Sequence, residues 1–307
     1  MTKLSNPSQP IRKMVIFGIG YLGGRMASEA LARGWQVSGL TRNEETARKC
    51  EAQGVKVHVA NLESDSWHRE LPCDVDAVVN CISAGSKGRS GYQASYLDGM
   101  RSILAWAEGG FRGRMLYTSS TSVYPYSEGE RVDESMSLEG HSASGALLRQ
   151  AEVLLEESGL PQWMILRLAG LYGPGRHYLV DRIRQGVEEL PGSGDSYLNL
   201  IHVEDVCRAL WAGLDGPDTV WNRIYNLSDN APSLKREVVA WVAGQYGKPV
   251  PRFNPDSSIR PRRLPNGKMP NRRIVSDRFF EALSWRPQYR DYREGYGEAF
   301  GFAGSEE

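Results

Sequence analysis

Through the first 170 residues, short apolar runs alternate with amphipathic stretches, and no other feature narrows the fold so far. Met14 to Phe17 is apolar and runs straight into glycines, so it reads as a buried strand. Met26, Ala27, Ala30 and Leu31 make one helical face, closed by Gly34. Gln36 to Leu40, Val55 to Val59, Ala77 to Ile82, Met115 to Thr118 and Trp163 to Leu168 read as five further strands. Glu44 to Gln53, Tyr92 to Glu108 and Ser144 to Glu157 read as helices between them. Strands alternating with helices of this length form right-handed βαβ units, so the expected fold is α/β with a doubly wound parallel sheet.

Gly18-Ile19-Gly20-Tyr21-Leu22-Gly23 is a G-x-G-x-x-G at the end of the first strand and the start of the first helix. In that position the first glycine permits a tight turn. The second lets backbone N–H groups approach a pyrophosphate, and the third lets helix and strand pack closely. The helix start adds unpaired donors and partial positive charge. The expectation is a Rossmann-type domain whose amides from Gly18 to Leu22 hold a dinucleotide. The second strand runs into Thr41-Arg42-Asn43, with no acid to bond a ribose 2′-OH. Arg42 either pairs with a 2′-phosphate, which favours NADP(H) over NAD(H), or is a solvated loop charge.

Past Gly170 the character changes. Glycine and proline are frequent, helices shorten, and Arg260, Arg262, Arg263, Lys268, Arg272 and Arg273 form the densest basic run. The expected organisation is a flexible extension over 1–10, a dinucleotide-binding domain over 11–170, and mainly a smaller substrate-binding lobe over 171–307, with segments that can cross over. Lys plus Arg and Asp plus Glu are 37 each, which argues against nucleic acid or an anionic membrane as partner. The four cysteines show no CxxC or metal spacing and read as reduced thiols, so no metal is expected. No apolar stretch approaches the ~20 residues of a membrane span, and the N-terminus has no signal-peptide pattern; the expectation is a cytoplasmic protein.

Further motifs occur in order: YTSSTSVYP after Met115, LRLAGLYGPGRH from Leu166, LIHVEDV from Leu200, Ser276-Asp277, and LSWRP from Leu283. With the glycine turn they resemble the extended short-chain dehydrogenase/reductases, the NAD-dependent epimerase/dehydratase family, through almost the whole chain. The pattern is most similar to an atypical, YeeZ-like subgroup. The resemblance implies a nicotinamide cofactor, a small polar or nucleotide-linked substrate, oxidoreduction or epimerisation, and in many members a homodimer. It places Ser120 on the reacting oxygen. The cofactor set it implies takes in Gly18, Gly20, Tyr21, Leu22, Gly23, Thr41 and Arg42. It continues with Asn61 and Leu62 after the third strand, Cys81, Ser83 and Ala84 after the fourth, and Ser119. Tyr172, Arg176 and His177 fall where the family builds its substrate wall.

The chain also departs from the family. The Tyr-x-x-x-Lys pair aligns with Ser144 and Leu148, the helix Asn with Tyr96, the adenine-side Asp with Asn61, and the first glycine of the longer glycine pattern with Phe17. A serine hydroxyl is a weak acid, and Leu148 brings no charge to help it. If chemistry persists, another group moves the proton: Tyr124 first, then His141, an imidazole near the start of the altered helix. The alternative is a dinucleotide-binding sensor or structural cofactor binder without turnover. His202 reads as part of a structural turn. The basic run either holds a substrate diphosphate or is a solvated loop.

Overall fold

The computed structural model describes residues 11–84, 88–257 and 264–301. Its strands form a seven-stranded sheet in the order β12-β7-β5-β4-β1-β2-β3, a Rossmann-type α/β fold. The chain divides into two compact units. One runs to Thr118 and takes in Val153–Trp163; the other comprises Ser119–Glu152 and the chain from Met164 onward.

The first unit begins with β1 (Lys13–Phe17), α1 (Tyr21–Ala32), β2 (Gln36–Thr41), α2 (Glu44–Glu51) and β3 (Lys56–Val59). β4 (Ala77–Asn80) and β5 (Arg114–Ser120) come next. β2 pairs parallel with β1 and β3, while β4 pairs with β1 on its other side and then with β5. The winding therefore reverses between β1 and β4. In such sheets ligands bind in the crevice outside the strand ends at that point. Below it, Phe17 sits edge-on to Trp67 and Trp106, at centroid distances of 5.1 and 5.3 Å.

Local chemistry accounts for the helices. Asn43 caps α2 by accepting from the Thr46 N–H at 2.8 Å, and Glu44 and Glu45 occupy its first turn. Gly20, the N-cap of α1, has no side chain and makes no side-chain cap. One helix is expected over 92–108. The chain instead forms α3 (Arg89–Tyr92), a π-helical stretch (Gln93–Asp98) and α4 (Gly99–Ala107) in direct succession.

The second unit holds β6 (Glu130–Val132), most of α5 (Ala143–Glu156) and of β7 (Gln162–Leu168), and β8 (Gly170–Tyr172). After α6 (Tyr178–Arg184) come β9 (Glu189–Pro191), β10 (Tyr197–Leu198), β11 (Leu200–His202), α7 (Val203–Asp215) and β12 (Arg223–Leu227). β13 (Ser233–Leu234), α8 (Lys235–Gln245), β14 (Arg252–Asn254), β15 (Arg272–Ile274), α9 (Asp277–Ala282) and α10 (Tyr292–Tyr296) complete it. β12 pairs parallel with β7, and short pairs join β8 to β11, β9 to β14, β10 to β13 and β6 to β15.

β12, the seventh strand of the sheet, is not among the strands expected from the apolar runs. Asn226 interrupts its run, yet is fully buried. It is tolerated because its side chain accepts from Tyr124 and donates to the Val132 and Val275 carbonyls.

Candidate functional site

The glycine turn has the geometry its sequence demands. Gly18 has φ +85°, and a Cβ there would lie 3.0 Å from Ile82, in the loop that leaves β4. A Cβ on Gly23 would lie 2.3 Å from the Gly18 carbonyl oxygen. Gly20, by contrast, opens onto space, with nothing within 4 Å of an added Cβ. The turn is thus packed on its protein side and clear on its outer side, which fits a pyrophosphate lying against the amides. Tyr21 is half-buried beneath a cation–π contact from Arg25, and Leu22 is buried. At the end of β2, Thr41 is buried and accepts from the Asn43 N–H at 3.2 Å, while Arg42 is exposed. Asn61 is exposed and Leu62 buried under α4, against Gly99.

Past β4, the Cys81 N–H donates to the Phe17 carbonyl, continuing the β1–β4 ladder. Burial pushes the Cys81 thiol up to about 12, which makes it a neutral packing group at neutral pH. Ser83 is exposed, and Ala84 donates its N–H to the Tyr96 hydroxyl at 3.2 Å. Gly85, the next small residue of that run, lies outside the described residues.

In the second unit the serine segment after β5 forms a tight turn. Ser120 Oγ accepts from the Ser122 N–H at 3.1 Å and donates to Ser122 Oγ at 3.0 Å. Ser142 and Ser144 share a hydrogen bond of 3.2 Å at the start of α5. The two serine pairs belong to adjacent backbone. A Cβ on Gly145 would lie 2.7 Å from the Ser122 carbonyl oxygen and 3.3 Å from the His141 Cβ. His141 and Ser144 are half-buried, and Leu148 is buried.

Tyr124 requires a correction. Its side chain is fully buried. Its hydroxyl donates to Asn226 Oδ1 at 2.8 Å and accepts from Arg167 Nη1 at 2.9 Å. Burial pushes its pKa up, against the pull of the Arg167 charge. A phenol held on both sides in the core does not present a proton to a substrate. Sequence reasoning missed the network that holds it. Arg167 forks onto Glu152, Nε to Oε1 at 3.0 Å and Nη2 to Oε2 at 2.7 Å, and Ser119 Oγ donates to the same Oε1 at 2.7 Å. The available signal was Arg167 itself, a charge in the middle of the apolar run MILRL.

Tyr172 and His177 are also buried. Tyr172 packs edge-on against His202 and Tyr296, at 5.2 and 4.9 Å, and its hydroxyl fills the place of a Cβ on Gly295. Burial lowers the His177 pKa, which disfavours its charged form. These two rings are core packing, whereas Arg176 between them and the turn is exposed. His202 Nδ1 caps α7 by accepting from the Glu204 N–H at 3.4 Å. Asp205, on the same motif, accepts from the Gln288 and Tyr289 amides at 2.6 and 3.0 Å. That bond ties LIHVEDV to the chain just after LSWRP. Ser276 Oγ accepts from the Ser228 N–H at 2.8 Å, and Asn230 donates to Asp277.

The basic run is anchored where it is described. Arg272 Nη2 donates to the Thr121 carbonyl at 2.8 Å, Arg273 Nε to the Gly129 carbonyl at 2.8 Å, and Lys268 pairs with Glu128. Arg260, Arg262 and Arg263 lie outside the described residues. Among the described residues no group of acidic, histidine or cysteine side chains is arranged to hold a metal ion, and no helix is long and apolar enough to cross a membrane.

A parallel sheet with a glycine turn at its reversal point is the architecture of Rossmann-type dinucleotide-binding proteins. The sequence model of the NAD dependent epimerase/dehydratase family matches residues 14–228, and the chain belongs to that family. It is 30% identical over 285 residues to protein YeeZ of Escherichia coli K12, covering 92% of this chain and 97% of that one. It is 29% identical over 251 residues to a 4-hydroxy-2-methyl-3-oxo-4-farnesyl-3,4-dihydroquinoline-1-oxide ketoreductase of Stigmatella aurantiaca, covering 77% and 74%. Among solved structures, a putative NAD-dependent epimerase/dehydratase from Methylobacillus flagellatus is 25% identical, with a TM-score of 0.72 over 95% of this chain and 98% of that one.

Proposed function

We propose that this chain is an NAD(P)-dependent oxidoreductase or epimerase, NADP(H) preferred, acting on a small polar or nucleotide-linked substrate without the usual Tyr-x-x-x-Lys pair. The observation that carries the reading is the glycine turn, packed behind and clear in front, at the reversal between β1 and β4. The amides of Tyr21 and Leu22, in the first turn of α1, hold the phosphates, while those of Gly18 and Gly20 donate to the Leu40 and Gly18 carbonyls at 2.9 and 2.8 Å and shape the turn. The bound nicotinamide supplies the hydride acceptor or donor. Ser120 hydrogen-bonds the reacting oxygen. With Tyr124 locked in the core, His141 takes over as the group that moves the proton, beside Ser144 on the first turn of α5. Exposed Arg176 contributes to substrate binding. The ketoreductase among the relatives supports a carbonyl-to-alcohol reaction. A cytoplasmic homodimer belongs to the same proposal.

Two results test it. Fluorescence titration should show tighter binding of NADPH than of NADH. Arg42→Ala should weaken NADPH by about 10- to 100-fold, the worth of a charge-assisted bond to a phosphate, and leave NADH within about twofold. Equal effects on both coenzymes would remove Arg42 from cofactor selection. Against carbonyl and sugar-nucleotide panels, Ser120→Ala and His141→Ala should each lower kcat by about 10²–10⁴-fold. Turnover that survives both changes refutes the roles assigned.

A second reading keeps the cofactor and drops the turnover. Its support is Leu148: a buried aliphatic side chain stands where the family's charged partner aligns. Tight coenzyme binding with no substrate-dependent oxidation across both panels decides for it.

A further inference from the structure

Arg167 and Arg272 both carry their charge into the interior of the second unit, but only Arg167 meets a carboxylate there. Arg272 opens β15, in register with Glu130 of β6. The Asn199 side chain staples that strand, donating to the Arg272 carbonyl at 2.9 Å and accepting the Ile274 N–H at 2.7 Å. The root of the arginine side chain is therefore fixed. At its far end, Nη2 donates to the Thr121 carbonyl at 2.8 Å, and Nη1 is buried with no hydrogen-bond partner among the described residues. Glu130 acts on the charge from a distance, and its Oε2 accepts the Glu128 N–H at 2.9 Å. Among the described residues no carboxylate forms an ion pair with Arg272. Residues 258–263, outside the described ones, contain no acid. Burial pulls the guanidinium pKa down to about 10, against the opposing pulls of Tyr124 and Glu130.

A buried cation without a counter-ion costs stability. Its bond to Thr121 does not account for keeping it, because the Thr121 carbonyl also accepts the Tyr124 N–H at 3.2 Å. The turn closes without the arginine. What the guanidinium reaches is the residue next to Ser120. Ser120 Oγ is tied to Ser122 by two hydrogen bonds, so a charge fixed on Thr121 is fixed relative to Ser120. A carbonyl oxygen held by Ser120 gains negative charge as its carbon takes a hydride, and loses that charge as the proton arrives. The counter-charge that Arg272 lacks in the folded chain is thus supplied by the reaction. Fixed positive charge placed where negative charge develops is usually the largest single catalytic effect, and it is felt over several ångströms in an interior of low dielectric.

We propose that Arg272 is a positioning residue: it sets the Ser120 turn through the Thr121 carbonyl and lends its unpaired charge to the reacting oxygen that Ser120 bonds. That role rests on the oxidoreductase reading above and brings to it a cation from 151 residues further along the chain.

Wild type, Arg272→Met and Arg272→Lys are to be compared by scanning calorimetry, and by steady-state kinetics on the substrate that the carbonyl and sugar-nucleotide panels return. Arg272→Met removes a lone charge and keeps an aliphatic stem, so the melting temperature should rise or stay within about 3 °C of wild type. Its kcat should nonetheless fall by about 10- to 100-fold, with KM within about threefold. Arg272→Lys returns the charge without the fork and should recover about half of that loss on a logarithmic scale. A larger drop in melting temperature for Arg272→Met would make the arginine a structural clamp. A raised KM with unchanged kcat would make it a substrate anchor, and wild-type kinetics a bystander. A lysine variant no faster than the methionine one would remove the charge from the account. Each of these overturns the role of Arg272 and leaves the oxidoreductase reading standing. A wild-type protein that turns over no member of either panel overturns that reading, and this role with it.

Discussion

Arg167→Leu is expected to lower folding stability by about 3–5 kcal/mol, the cost of removing one member of a buried ion pair. The Glu152 side chain is wholly buried and that of Arg167 is 3% exposed. Without the guanidinium fork, the carboxylate keeps, among the described residues, Ser119 Oγ and, at 3.3 Å, Arg149, which is itself partly exposed. Tyr124 loses a partner in the same step. Glu152→Leu should be as damaging, because it strands the guanidinium instead. The double variant should be less destabilised than the two single losses combined, by at least about 1 kcal/mol, because no charge is then left alone in the core. Urea denaturation of the four proteins measures all of this. A loss under about 1 kcal/mol in either single variant would show that the pair is solvated rather than buried.

The second large effect separates two glycines three residues apart. Gly20→Ala should leave the melting temperature within a few degrees of wild type, since an added methyl meets nothing within 4 Å. It should nonetheless weaken coenzyme binding by about 10- to 100-fold, because the methyl occupies the path of the pyrophosphate to the amides. Gly23→Ala places its methyl 2.3 Å from the Gly18 carbonyl oxygen. The backbone must move, at about 1–3 kcal/mol of stability, and binding falls as the turn opens. Scanning calorimetry and coenzyme titration on both variants distinguish the outcomes. Wild-type affinity in Gly20→Ala would mean that no phosphate lies there.

Legibility from sequence divides along a physical line. The parallel strands and the glycine turn were legible because each is a local pattern: an apolar run, a special backbone angle, a helix face. β12 was not, because Asn226 breaks its run and is made acceptable only by partners about 50 to 100 residues away. The ordered motifs were legible as a family pattern, but their meaning was not. Asp205 serves the backbone at 288–289, and Ser276 serves Ser228, and neither tie is visible in one dimension. Tyr124 failed as a proton donor for the same reason. Its closeness to Ser120 in sequence says nothing of the arginine and asparagine that enclose it. The π-helical turn around Tyr96 leaves no mark on hydrophobic periodicity that a single sequence discloses.

The polypeptide passes between its two units at three points, after Thr118, after Glu152 and after Trp163. No single cut therefore releases either half intact. A ribosome must synthesise Ser119–Glu152 before the last piece of the earlier unit, Val153–Trp163, exists at all. During synthesis the nucleotide half waits, incomplete, on a segment that belongs to its neighbour. Truncations at 118 or at 170 should yield insoluble fragments, whereas a circular permutant with new ends in an exposed turn keeps every piece.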